Sequence, residues 1–362
     1  MALSLESISI RGYKSIAAVD LELNSLNILI GANGAGKSNF ISLFNFLRHL
    51  VEQRLQVRVR EAGGADKLLH YGSKTTPAIF VQLNFPPNYY RVTLQPSDDD
   101  SLFIQAEETG FHNKNQYPSP YWERIGSGVM ESKLKGAAKS SNVLNYVYDV
   151  LKDWRVYHFH DTSAGAAVKK TGQINDNLFL REDAGNLAAF LYRMREEHPK
   201  HYERIVRTIQ LVVPMFRDFL LRPDPFNPDS IRLEWLDRDS DYIFGASELS
   251  DGSLRFMCIT TMLLQPNRPS LILLDEPELG LHPAAIQILA GLLKKVSSLA
   301  QLIVSTQSVT LVSAFAPEDV LVVEHHDKVT TLQRLEAVSL NSWLSEYSLG
   351  ELWEKNVIGG RP

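Results

Sequence analysis

A glycine-rich octapeptide, Gly31-Ala-Asn-Gly-Ala-Gly36-Lys37-Ser38, constrains this chain more than any other feature. It matches the phosphate-loop pattern G-x-x-x-x-G-K-S/T in full. The short apolar run Leu26–Ile30 precedes it as a strand. A helix follows from about 37 to 52, with Phe40, Leu43, Phe44, Leu47 and Leu50 on one face. Glycines let such a loop curl until successive N–H groups point inward at phosphate oxygens, backed by the helix N-terminus. The residues expected to hold a nucleotide are Asn33, Gly34, Ala35, Gly36, Lys37, Ser38 and Asn39. Lys37 is expected to reach the β- and γ-phosphates of ATP, and the Ser38 hydroxyl to hold Mg2+.

A second constraint lies about 240 residues downstream. Leu271-Ile-Leu-Leu-Asp275-Glu276-Pro-Glu278 is an apolar run ending in acids, as in a buried strand that delivers carboxylates to a sheet edge. Asp275 suits outer-shell coordination of Mg2+, and Glu276 suits a base that polarises an attacking water. Between the two motifs stands Leu249-Ser250-Asp251-Gly252-Ser253, opening a helix about 25 residues before Asp275. Ser-x-Gly at a helix start can bind an anion through outward N–H groups and the hydroxyl. Ser250 also reads as an ordinary N-cap.

The spacing discriminates. Ring-forming AAA+ machines and small kinases place the acids much closer to the phosphate loop. A long gap with a further motif just before the acids is the arrangement of ABC-type ATPases. The residues that carry this likeness are Ile8-Ser-Ile-Arg-Gly-Tyr-Lys14-Ser15, GANGAGKSNF and Gly63-Gly-Ala-Asp-Lys-Leu-Leu-His-Tyr-Gly72. To these are added LSDGSLRF, LLDEPELGLHP and Ser305-Thr-Gln-Ser308. On them the chain resembles the RecF/SMC/OLD-type ABC ATPases, within the broad group of AAA-type predicted ATPases.

The resemblance implies two subunits that sandwich two ATP molecules head to tail, each phosphate loop facing the Ser250–Gly252 segment of the other. It implies that Lys14 approaches the nucleotide phosphates and that the segment from Glu278 to His282 crosses the dimer interface. His282 reads equally as a polar residue ahead of a helix starting at Pro283. The catalytic set so implied is Glu276, Lys37, Gln307 and Ser250, with Lys14 and Gly252 among the nucleotide contacts and Ser38 and Asp275 at the metal. There are departures. Asp251 and Ser253 alter the signature LSGGQ, and Gln307 stands where the switch histidine belongs. Glutamine can hydrogen-bond γ-phosphate or water but cannot carry a proton at neutral pH. No Q-loop glutamine is evident, since Gln82 lies inside a strand and reads as structural. The segment Trp154-Arg-Val-Tyr-His158-Phe-His160-Asp161 is left for that place; its two histidines and one aspartate read more readily as structural than as a metal site.

Around these motifs the chain reads as α/β: a β-rich first lobe, an irregular and helical insertion, and a parallel-sheet second lobe. Strands are expected over Leu3–Ile10, Ile16–Leu23 after a turn at Gly12, Pro77–Phe85, Tyr89–Gln95 and Ser101–Ala106. Residues 110–142 lack a period and read as a surface insertion, and Arg222–Ser230 as a proline-punctuated connector. Helices are expected at 184–196, 199–213, 251–264 and 283–296, with strands at Leu271–Leu274 and Leu302–Ser305. Residues beyond Gln307 allow two closing strands and a tail. The segments are therefore drawn as 1–109 with the phosphate loop, 110–145 as insertion, 146–245 as a helical region, and 246–362 with the signature and acids. There is no coiled coil or Toprim nuclease, so the chain reads as a bare head.

Composition excludes several classes. A single cysteine, Cys258, among 362 residues leaves no internal disulfide or multi-cysteine zinc site and fits a reducing, cytoplasmic setting. A net charge of −5 argues against a globally basic nucleic-acid coat. No apolar run reaches the roughly 18–20 residues of a membrane span. The leading expectation is an ATP-driven conformational machine that dimerises on ATP and acts on DNA or on an effector such as a nuclease or toxin, in phage defence or DNA repair. Arg54, Arg58, Arg60, Lys133, Lys135 and Lys139 are candidates to face DNA, or simply a solvated surface. A regulatory scaffold with little turnover is the alternative; a transporter subunit fits poorly with the SMC-like opening.

Overall fold

The computed structural model describes residues 5–113 and 116–361. Leu3 and Ser4 of the expected first strand, and Lys114 and Asn115 of the expected insertion, lie outside the described residues. The chain divides into two compact units: residues 1–156, 269–273 and 299–362 form one, and 157–268 with 274–298 form the other. The division differs from the four expected segments. Residues 110–145 belong to the first unit, and the C-terminal segment is shared between both.

In the first unit, period-two alternation builds an antiparallel six-stranded sheet. Its order is Ile16–Glu22, Ser7–Tyr13, Ile79–Phe85, Asn88–Pro96, Leu102–Phe111 and Tyr121–Gly126. Ile10, Val81 and Val92 stand in one cross-strand row, and Ile8, Leu83 and Tyr90 in the next. All six are buried, in one core with Phe40, Phe44 and Leu47 from the apolar stripe of helix Lys37–Val51. Each such side chain contributes roughly 1.5–3 kcal/mol on burial.

The second sheet runs in the order Val329–Arg334, Val320–His326, Leu26–Ile30, Gln301–Ser305, Leu271–Asp275 and Arg155–Tyr157. Leu26–Ile30 pairs in parallel with Gln301–Ser305 and with Val320–His326. Every residue of Leu26–Ile30 and Gln301–Ser305 is buried, which accounts for their mostly apolar character and lack of alternation, with polar Asn27, Gln301 and Ser305 buried among them. Because these strands run in register, Thr306 N–H donates to the Leu29 carbonyl at 3.0 Å. The segment leading to Gln307 thus leaves the sheet at the same edge as the phosphate loop.

The second unit is built on helices Leu187–Glu197, Pro199–Gln210, Asp251–Leu264 and Pro283–Ser297, with two small three-stranded sheets. Helix Asp251–Leu264 is buried at every position from Leu254 to Leu264. A helix buried all round has neighbours on every side, here including Pro199–Gln210 and Pro283–Ser297.

Four expectations are corrected. The first hairpin turns at Lys14-Ser15, between the paired Tyr13 and Ile16, while Gly12 lies within the strand. The region 110–142 is not structureless: Tyr121–Gly126 joins the sheet edge. That strand is mostly exposed and so lacks an apolar alternation. It is tied down by polar groups, Glu108 bridging Arg91 at 2.6 Å and Arg124 at 3.4 Å, with the Arg91 guanidinium 3.9 Å from the Trp122 ring centre. The proline-rich connector pairs Pro223–Asp224 with Asn227–Ile231, prolines being tolerated in so short a hairpin. After the two closing strands, the expected tail forms helices Ala337–Leu344 and Leu349–Glu354.

Candidate nucleotide site

The phosphate loop lies wholly in the first unit. Gly31, Ala35, Gly36 and Lys37 are buried at its base, whereas Ala32, Asn33, Gly34 and Ser38 are exposed at its rim. Gly36 has φ +112°, and a Cβ there would meet Thr330 Oγ1 at 2.3 Å. Only glycine fits that corner. The following helix has no side-chain N-cap and no acidic residue in its first turn. Its positive end is therefore left for an external anion. Lys37 is 5% exposed, and its Nζ donates to the Gly31 carbonyl at 2.6 Å and lies 3.1 Å from that of Ala32. The ammonium is thus pinned across the loop, where phosphate oxygens would be received. These features fit a polyphosphate.

Of two sequence-predicted residues elsewhere in this unit, one reaches the loop and the other the helix that follows it. Gln307 Nε2 donates to Asn33 Oδ1 at 2.6 Å. Lys14 occupies the hairpin turn with φ +48°, and its Nζ donates to Ser42 Oγ at 2.9 Å on the helix that follows the loop. Burial, and then the Arg58 charge, push the Lys14 pKa down. Sequence reading missed the buttress behind the loop. Asn39 Nδ2 donates to Ser15 Oγ at 2.8 Å, and buried Thr330 places Oγ1 2.8 Å from Ser15 Oγ and 2.9 Å from the Ala35 carbonyl. Asn39 is half-buried and directed at this buttress, and Ala35 contributes a buried Cβ and a backbone acceptor. Ser15 stands in the quoted opening motif, but nothing in the sequence marks Thr330.

The second unit carries the other predicted group. Ser250 Oγ accepts from Ser253 N–H at 3.2 Å and lies 2.8 Å from Ser253 Oγ, so it does cap its helix. A Cβ at Gly252 would fall 2.3 Å from the Gly280 carbonyl, so the signature-like segment presses directly on the loop after the acids. Arg255, one turn further on, fixes that contact. Its Nε donates to the Phe159 carbonyl at 2.9 Å, one Nη to that of His160 at 3.1 Å, and the other to that of Leu279. Asp275 and Glu276 end the apolar strand, both half-buried. Glu276 has φ +43°, a left-handed backbone rare for a residue with a side chain and concentrated at functional sites. The two carboxylates help to line a cavity of about 10 Å³ with Tyr157, His160 and Arg255, room for about one water. His282 is exposed and its Nδ1 accepts from Ala284 N–H at 3.3 Å, an N-cap for helix Pro283–Ser297.

The remaining calls are placed as follows. Gln82 sits inside its strand, donating to Asn84 Oδ1 at 3.1 Å. Asp161 folds back onto Ser163, whose hydroxyl first and then its N–H, at 3.0 Å, hold the carboxyl below the usual range. Glu131 accepts from Leu55 N–H and Gln56 N–H at 2.8 and 3.0 Å. That bond sets the helix bearing Arg58 and Arg60 beside the segment that continues to Lys133 and Lys135. Among the described residues no helix is long and apolar enough to cross a membrane.

Comparison with known proteins bears on the fold and the family. No curated protein matches the chain in sequence. An Smc head bound to the C-winged helix domain of ScpA is similar in fold, with a TM-score of 0.59 at 15% identity, covering 93% of this chain and 99% of that one. The Smc head domain with an extended coiled coil from Pyrococcus furiosus, bound to the C-terminal domain of ScpA, gives a TM-score of 0.55 at 14% identity, over 94% and 98%. The fold is that of an SMC/ABC-type P-loop ATPase head, without a coiled coil among the described residues. Residues 26–313 match one protein family, and by that match the chain belongs to the ATPase family described as "AAA domain, putative AbiEii toxin, Type IV TA system".

Proposed function

We propose that this chain binds Mg2+·ATP between the phosphate loop of one copy and the Ser250–Gly252 segment of a second, hydrolyses it slowly, and passes the resulting opening and closing to DNA or to a partner effector. The observation that carries the reading is the phosphate loop itself: a buried lysine pinned over the loop and an uncapped helix end. Asn33, Gly34, Gly36 and Lys37 would receive the phosphates. Ser38 and Asp275 would hold Mg2+, which when bound neutralises charge on the phosphoryl group. Glu276 takes the proton of the attacking water. Gln307 donates a neutral hydrogen bond, and its contact with Asn33 holds it against the loop before any nucleotide arrives.

The effector reading is supported by the toxin–antitoxin wording of the family and by the ScpA domain seated on the similar Smc head. The DNA reading is supported by the basic segments joined through Glu131. Defence against phage and DNA repair are the settings that suit such a machine. Gln307 also favours a second reading, a nucleotide-gated scaffold with little turnover.

Steady-state ATP hydrolysis with and without duplex DNA separates these. The expected basal rate is below roughly 1 s⁻¹. Stimulation by DNA supports the machine, and a rate indifferent to DNA moves the reading to the scaffold. A faster rate without any partner contradicts slow turnover. Lys37→Ala should lower ATP affinity in calorimetry; unchanged affinity removes the site assignment.

A further inference from the structure

In the second unit, Asp275, proposed above as a Mg2+ ligand beside ATP, also stands beside two histidines that the nucleotide reading does not use. His158 and His160 each offer a ring nitrogen, and Asp275 a carboxylate oxygen, with these atoms all within 4.8 Å of one another. We propose that these three residues bind one borderline divalent cation, Zn2+ or a neighbour in the first transition row. The proposal concerns the nucleotide-free chain and does not rest on hydrolysis: Asp275 is the one ligand shared with the proposed Mg2+ site, and none comes from the phosphate loop.

Geometry comes first. An ion centred among donors so spaced lies at most about 2.8 Å from each, and contraction by under about 1 Å brings it to the 2.0–2.2 Å of zinc–nitrogen and zinc–oxygen bonds. Rotation of two rings and a carboxylate supplies that without moving the backbone. The backbone is already held. His158 and His160 are two apart in an extended segment after strand Arg155–Tyr157, a spacing that turns both rings to one side. Their ring centres are 6.4 Å apart. His158 N–H donates to the Glu182 carbonyl at 3.0 Å, and buried Arg255 holds the Phe159 and His160 carbonyls. Asp275 is the last residue of a strand whose preceding four residues are buried. Ligands on elements so fixed are close to preorganised.

Chemistry selects the ion. Two imidazoles and one carboxylate suit zinc, cobalt, nickel or iron, whereas Mg2+ and Ca2+ take oxygen donors. His158 is exposed and the other two ligands are half-buried. Three protein ligands with solvent access leave coordination positions open, unlike a closed structural zinc site. Asp161, the carboxylate nearest in sequence, is not one of the three, being engaged with Ser163.

The test uses the full chain free of nucleotide and metal. Zn2+ alone is titrated by calorimetry, and Co2+ is titrated alongside for its visible absorption. One ion per chain is expected. His158→Ala and His160→Gln should each weaken binding at least about tenfold and lose the cobalt bands, while Lys37→Ala leaves both unchanged. A hundredfold excess of Mg2+ should not displace Co2+. Matching melting temperatures show that the variants are folded; should His160→Gln fail that check, Asp275→Asn takes its place. Absence of saturable binding overturns the proposal. So does binding that survives in both histidine variants, since it then belongs to other histidines such as His198 and His201, and so does displacement by Mg2+.

Discussion

Replacing Arg255 by methionine should loosen the second unit at a defined place. The methionine keeps the length and apolar stem of the side chain but removes the guanidinium that gathers the Phe159, His160 and Leu279 carbonyls. A hydrogen bond from a charged donor is worth about 1.5–3 kcal/mol. Leu279 is on an exposed turn where water can replace the arginine, so only the Phe159 and His160 bonds are counted at the low end. That gives about 3 kcal/mol, or about a hundredfold in the equilibrium for local opening.

Hydrogen exchange reads this directly. The amides to watch are His158, bonded to Glu182, and Leu281, bonded to Glu278. His158 should exchange about a hundredfold faster in Arg255→Met and Leu281 faster by a smaller factor, while strand amides of the first unit, such as Ile10, keep their wild-type rates. Arg255→Lys should fall between, because an ammonium lacks the planar fork that spans several carbonyls at once. Acceleration of less than about threefold at both amides would refute the claim that Arg255 joins these segments.

Four further outcomes are expected. Gly36→Ala puts a side chain at φ +112° and 2.3 Å from Thr330 Oγ1, at a cost of about 2–4 kcal/mol, and should weaken ATP binding at least tenfold in calorimetry; wild-type affinity contradicts the cradle geometry. Buried Cys258 has its thiol pushed up to about 12 by burial, so it should resist thiol reagents at pH 8 until the chain is unfolded in urea, and rapid labelling of folded protein would contradict its placement. Because the unfolded thiol ionises near 9, its contribution to stability should be present below about pH 9 and be lost as pH rises through about 12, a slope that Cys258→Ala should remove from urea titrations. Ser250→Arg should abolish ATP-dependent association by placing bulk and positive charge at the segment proposed to meet the γ-phosphate; light scattering that still shows association counts against that role.

What the sequence revealed follows its physical periodicities. The phosphate loop, the buried strand Leu271–Asp275 and helix Asp251–Leu264 were legible because glycine, apolar runs and caps leave marks at fixed spacing. Tyr121–Gly126 was hidden because Arg91, Glu108 and Trp122 hold it by charge and ring contacts, which have no period. The same holds for buried Glu107, which accepts from Tyr90, Ser132 and the Lys133 amide and so draws the insertion onto the first unit. At the site, Lys37 and Asn33 were legible from their motif. Thr330 was not, since its partners Ser15 and Ala35 lie about 300 residues away in the chain. Asp275 was read only as a Mg2+ ligand, because its approach to His158 and His160 depends on folding across more than 100 residues.

The central claim is that ATP closes two copies of this chain on one another. Sedimentation velocity of Glu276→Gln, with and without Mg2+·ATP, tests it most directly, since this variant should bind nucleotide and fail to spend it. The account predicts that the nucleotide-free species doubles in mass on adding ATP, with nucleotide absorbance co-sedimenting in the larger boundary. Nucleotide that co-sediments with a species unchanged in both mass and frictional shape would contradict it.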